Sequence, residues 1–194
     1  MIERVTSSNG EQRGRPIRSF VRRSGRMTRA QGRSLEKYWG TYGIAGEGVV
    51  DMDVAFGRRA PRYLEIGFGM GGALLTMAEG RPGHDFLGVD VFEPGIGHVL
   101  GRVAALQLGN IRLLRGDAVD ILGARLPAGG LDGVYLYFPD PWPKKRHHKR
   151  RLVQPPFVSL VARCMRSGGR FLLATDWEDY AHHMLQVVEA HAGW

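Results

Sequence analysis

Residues 62–75 read RYLEIGFGMGGALL. Tyr63, Leu64 and Ile66 make a short apolar run, which predicts a buried strand. The run breaks into Gly67, Gly69, Gly71 and Gly72, and Ala73, Leu74, Leu75, Met77 and Ala78 then follow a helical pattern. Strand, glycine turn and helix in that order grip a nucleotide cofactor, because glycine admits positive φ and lets the backbone approach a ligand that any Cβ would repel. Gly67, Gly69 and Gly72 fit G-x-G-x-x-G, a pattern that also occurs in turns that bind nothing. Glu65 narrows the reading. A carboxylate two residues before the first glycine suits a cofactor carrying an ammonium group better than one carrying a pyrophosphate. The cofactor this predicts is S-adenosylmethionine.

Outward from that stretch, strand and helix alternate. Strands are predicted at Arg62–Ile66, Phe86–Asp90, Asn110–Arg115, Leu131–Phe138 and Arg170–Thr175, with Gly168-Gly169 turning the chain into the last. Helices are predicted from Gly72 to Glu79, along Ile96, Val99, Leu100, Val103 and Leu106, from Pro156 to Met165, and from near Trp177. Pro94 and Gly95 read as loop punctuation, and Ala118 to Leu122 as a short helix at most. Such alternation predicts an α/β, mostly parallel sheet with helices on both faces. Ligands of such sheets sit beyond the carboxyl ends of the strands. Glu65, Asp90, Asp117, Asp140 and Asp176 all fall at or just past those ends. Asp90 is spaced to accept from a ribose diol, as it equally is in NAD enzymes, or to serve as a turn aspartate. Asp117 suits an adenine amino group or a turn.

The exit of the fourth strand carries Pro139, Pro141 and Pro143, which fix φ at alternate positions and hold Asp140 and Trp142 in a rigid loop. Trp142 is a candidate for stacking on a base or for packing the loop. Lys144, Lys145, Arg146, His147, His148, Lys149, Arg150 and Arg151 follow at once. A cationic run so close to a candidate active carboxylate predicts a phosphate clamp. His147 and His148 are adjacent, so they do not share a face, and no metal site is predicted.

Twenty-seven Lys and Arg against nineteen Asp and Glu give the 194-residue chain a net charge of +8, which suits a polyanionic partner. Cys164 is the single cysteine, so no intramolecular disulfide is possible. No apolar run is long enough to span a bilayer and no signal-peptide core is visible, which predicts a cytoplasmic protein without a membrane partner. Residues 1–37 are arginine-rich (Arg13, Arg15, Arg18, Arg22, Arg23, Arg26, Arg29, Arg33) and predict a basic, partly flexible arm. Residues 38–194 are then the Rossmann-like domain.

EIGFGMG (65–71), GVDVFEPG (88–95), RGDA (115–118), YFPDPWPKKRHHKRRL (137–152) and ATDWEDYA (174–181), with RSFVRRSGRMTRAQ (18–31), resemble the motifs of bacterial tRNA (guanine-N7)-methyltransferases of the TrmB type. The resemblance spans nearly the whole chain and implies a Rossmann-like class I methyltransferase fold. It implies methyl transfer from S-adenosylmethionine to guanine N7 in the variable loop of tRNA. It also implies cofactor contacts from Glu65, Gly67, Gly69, Asp90, Asp117 and Asp140, with Asp140 catalytic. Lys144 and Asp176 would contact the substrate, and Arg150 and Arg151 its phosphates. Asp90 stands where many members have glutamate. The family also carries two further strands and a late Thr-x-Phe-Glu motif, which this sequence lacks at its Ala192-Gly193-Trp194 end. The last strands are therefore expected to be missing, turnover to be slow, and the chain to self-associate. Monomer and homodimer both remain open. Competing readings are methylation of another nucleic-acid atom, an NAD-dependent oxidoreductase, and a tRNA-binding module without catalysis.

Overall fold

The computed structural model describes residues 25–193. In chain order, α1 (Arg29–Tyr42) and α2 (Met52–Phe56) precede β1 (Arg62–Ile66), α3 (Gly72–Gly80), β2 (Asp85–Asp90) and α4 (Glu93–Ala105). There follow β3 (Ile111–Arg115), the short α5 (Ala118–Asp120) with a π-helical turn at Ile121–Arg125, and β4 (Leu131–Tyr137). A 3₁₀ helix (Lys145–Arg150), α6 (Pro155–Cys164), β5 (Met165–Ala174) and α7 (Glu178–Glu189) complete the described chain.

The strands form one sheet in the order β3-β2-β1-β4-β5, with every pairing parallel. Side chains alternate across it. Leu64, Leu87, Val134 and Leu136 point into a core shared with Phe157 and Val161 of α6 and Tyr180 and Met184 of α7. On the opposite face Phe86 and Leu113 meet Leu74 and Ala78 of α3 and Ile96, Leu100 and Val103 of α4. This is the expected Rossmann-like α/β architecture.

Three expectations change. The arm was to reach Lys37, but α1 begins at Arg29 behind a capping box of Thr28 and Gln31, so the 37/38 boundary falls inside a helix. Leu35, Tyr38 and Trp39 pack on the second core, and α1 approaches α4 closely enough that a Cβ at Gly97 would lie 2.4 Å from the Gln31 carbonyl oxygen. The part of that arm in residues 1–24 lies outside the described residues. Pro94 and Gly95 do not interrupt the chain; they start α4, where proline at the first turn loses no hydrogen bond. β5 begins five residues before Arg170, so Gly168, at φ +76°, sits within the strand rather than ahead of it.

The sheet's two edges differ. Beside β3, Gly43 bridges Leu113, and the Ile44 N–H donates to the Leu113 carbonyl at 2.8 Å. Along β5, Arg170 and Leu172 are exposed.

Candidate active site

All five strands run the same way, so their carboxyl ends share one rim. The chain leaves β1 toward β2 on one side and returns to its other side with β4, which makes the β1–β4 gap the switch point where such sheets hold ligands.

On the β1–β3 side, Glu65 is buried at 4 % exposure, and its Oε2 has no hydrogen-bond partner. Burial, reinforced by the charge of Asp90, pushes its carboxyl up to about 7. Beside it Gly67, at φ +70°, has nothing within 4 Å of where a Cβ would stand. The loop is held from below. Asp90 accepts from the Gly69 N–H at 2.7 Å through Oδ2 and from the Phe92 N–H at 2.8 Å through Oδ1. A Cβ at Gly95 would lie 2.0 Å from the Gly69 carbonyl oxygen, so the glycine loop rests directly on the first turn of α4. Asp117 caps α5 by accepting from the Val119 N–H at 2.9 Å. Both aspartates thus take the turn roles left open in the sequence.

An orphaned buried carboxylate next to an open glycine turn fits an ammonium-bearing nucleotide. A pyrophosphate placed against Glu65 would meet a like charge.

On the β4–β5 side, the Phe138 N–H donates to the Ala174 carbonyl at 2.8 Å, and the proline loop begins. Phe138 and Trp142 have φ of +51° and +47°, each immediately before a proline. Bulky side chains rarely adopt that conformation, and strain of this kind collects at functional sites. Between them lies half-buried Asp140. Phe138 is 60 % exposed, a bare ring that the sequence did not single out. Trp142 is engaged instead. The Arg150 guanidinium lies 4.9 Å from its ring centre and the His147 ring meets it edge-on at 5.9 Å. Lys144 caps the 3₁₀ helix and, like Arg150, is exposed. Desolvation, and then the charges of Arg150, Arg146, Lys144 and Lys149, hold His147 below the usual histidine range. Asp176 is exposed just past β5.

Arg151 departs from its expected role. It is 2 % exposed, with its donors turned inward to the Pro141 carbonyl at 2.9 Å and to Asp179. Its Nε and Nη2 are thus spent on protein acceptors rather than turned to solvent. Among the described residues there is no group of three or more His, Cys, Asp or Glu that could hold a metal ion. No helix among them is long and apolar enough to cross a membrane.

A family model described as "Putative methyltransferase" matches residues 59–194. The chain is 54% identical over 189 residues to the tRNA (guanine-N(7)-)-methyltransferase of Nitrosococcus oceani, covering 94% of this chain and 80% of that protein. It is 53% identical over 194 residues to the protein of the same name from Alkalilimnicola ehrlichii, covering 98% and 80%. A third relative so named, from Serratia proteamaculans, is 48% identical over 198 residues, covering 100% and 83%.

Proposed function

The chain belongs to the tRNA (guanine-N(7)-)-methyltransferase family, and from that premise we propose how its own residues carry the reaction. The enzyme methylates N7 of guanine in tRNA with S-adenosylmethionine as donor; we assign the target to the variable loop and the reaction to the cytoplasm. When bound, the donor supplies an electrophilic methyl group on a sulfonium centre.

Glu65 would hold the donor's ammonium, Gly67 and Gly69 would let the main chain close on it, Asp90 would accept from the ribose and Asp117 from the adenine. Guanine N7 carries a lone pair and no proton at neutral pH, so attack requires no base at that atom. The task left to the protein is in-line placement and an anion near the positive charge that grows on the purine. Asp140 supplies that anion and can accept from guanine N–H groups. Phe138, bare and held by its strained backbone, is the ring available to stack on the base. Lys144, Arg150 and Asp176 flank this loop and would meet the surrounding RNA.

The observation that carries the reading is a single rim holding both an unpartnered buried carboxylate beside open glycine turns and an acid-bearing strained loop that runs straight into a cationic helix. The test is incubation with labelled S-adenosylmethionine and total tRNA, then nucleoside digestion. Label in 7-methylguanosine is expected. Label in another nucleoside, or tRNA binding without label, would overturn it.

A further inference from the structure

Arg151 is the one buried cation among the described residues. Burying a guanidinium is costly unless its charge and its donors are answered, and here the partners come from three segments. Its Nε donates to the Pro141 carbonyl at 2.9 Å, inside the proline loop. Its Nη2 donates to Asp179 in the first turn of α7 and lies 3.2 Å from Nε2 of His148 in the 3₁₀ helix. Its guanidinium lies 4.8 Å from the centre of the Tyr180 ring. Tyr180 is itself fully buried, with its hydroxyl accepting from the Val153 N–H at 3.2 Å. The Arg151 N–H donates to the His148 carbonyl at 3.0 Å. The hydrogen bond from Arg151, with its charge behind it, holds the Asp179 carboxyl below the ordinary carboxylate range.

The segments so joined are the parts of the proposed substrate side: the Asp140 loop, the cationic helix that follows it, and the start of α7 just beyond Asp176. The loop needs such a brace, because Pro139, Pro141 and Pro143 have no N–H to tie it down. We propose that Arg151 is a positioning residue for methyl transfer, a strut that fixes the carbonyl next to Asp140 and locks the RNA-facing helix and α7 to it. This rests on the reading of Asp140 as the catalytic carboxylate. Arginine is required by geometry: donors leaving a planar fork in fixed directions reach a carbonyl and a carboxylate at once, which an ammonium on a flexible stem does not reproduce.

The test uses the full chain with Arg151→Met, Arg151→Lys and Asp179→Asn, against Arg150→Gln. Asp179 is 63 % exposed, so its substitution spares the core even where Arg151→Met does not fold. Arg151→Met is expected to lower kcat about 100-fold, the scale of a 1 Å misplacement. Its KM for tRNA should move little, its donor affinity should stay within about twofold, and its salt dependence of tRNA binding should match wild type. Arg151→Lys, keeping the charge, should recover part of kcat, and Asp179→Asn should lose several-fold. Hydrogen exchange should accelerate in the peptide covering residues 138–151 and not in β1–β3. An unchanged kcat with a salt slope lowered by about one would make Arg151 a phosphate contact and overturn the proposal. So would exchange accelerated throughout the chain, with activity tracking the folded fraction. A wild-type chain that methylates no tRNA would instead defeat the functional reading; exchange confined to residues 138–151 would still support the strut, and unchanged exchange would still refute it.

Discussion

Past β2 and β3 the acids Asp90 and Asp117 hold main-chain N–H groups, whereas past β4 the proline loop is braced by the arginines that follow it. Asp90 takes Gly69 and Phe92, and Asp117 takes Val119; the proposed cofactor side is a backbone structure with carboxylates built into it. Opposite, Arg151 bridges Pro141 and Asp179, and Arg150 covers Trp142. A small ligand of fixed shape suits the first arrangement. A large polyanion that must be met by many cations suits the second. The contrast teaches that the same residue type, an acid past a parallel strand, serves different ends according to what surrounds it.

The contrast can be broken most forcefully at Asp140. Asp140→Asn should reduce kcat about 10²–10³-fold, while donor affinity and melting temperature stay near wild type. A matching loss of donor affinity would move Asp140 to the cofactor side. Asp90→Ala should behave oppositely. It strands the Gly69 and Phe92 N–H groups, so unfolding free energy and donor binding should fall together, each by about 2 kcal/mol; calorimetry and thermal melts check this. Donor affinity falling alone would make Asp90 a ligand contact only.

Glu65 sharpens the comparison through pH. Its carboxyl, raised to about 7, keeps a proton in the folded state that the unfolded chain has released. Its contribution to stability is therefore full below the ordinary carboxylate value and lost as pH rises through about 7. Donor binding runs the other way, since an ammonium requires the ionised carboxylate, so affinity should rise through about pH 7. Glu65→Gln should abolish that rise and weaken binding by about 1.5–3 kcal/mol; titrations of both proteins across pH test it, and a persistent rise would assign the proton elsewhere. Phe138→Ala should cost about 1–2 kcal/mol in kcat/KM for tRNA through lost stacking, with donor binding unmoved. An equal loss of donor affinity would place that ring against the cofactor. The smallest effect belongs to Arg150→Gln, which should lower the slope of log K for tRNA against log salt by about one. A slope unchanged within error would leave Arg150 only its contact with Trp142.

The sheet was legible because its signals are local: apolar runs of strand length, glycines at each turn, and an acid after each strand. What escaped depends on neighbours far along the chain. Arg150 and Arg151 are adjacent and chemically identical, yet one is exposed and the other is the buried centre of a network; only the packing of Tyr180 and Asp179, on a helix beginning at Glu178, separates them. Residues 29–37 hid a helix behind arginine and glycine, although Thr28 and Gln31 spelled a capping box. Phe138 was not singled out because its exposure goes with a backbone twist that composition does not report. Glu65 drew notice from the sequence because it is a charge at the end of an apolar strand, and the structure buries it.

The strand order β3-β2-β1-β4-β5 also carries a timetable. A ribosome delivers the chain from its first residue, at about 5–20 residues per second, so β1, β2 and β3 can pair before β4 exists. The Arg62 N–H and the Asp132 carboxylate that joins it are 70 residues apart. Until that later segment emerges, β1 is an open margin with hydrogen bonds to give, the state in which nascent sheets recruit wrong partners. The cofactor side is thus born first and waits, and β4, bringing the proline loop behind it, both closes the sheet and delivers Asp140 to a rim already half assembled.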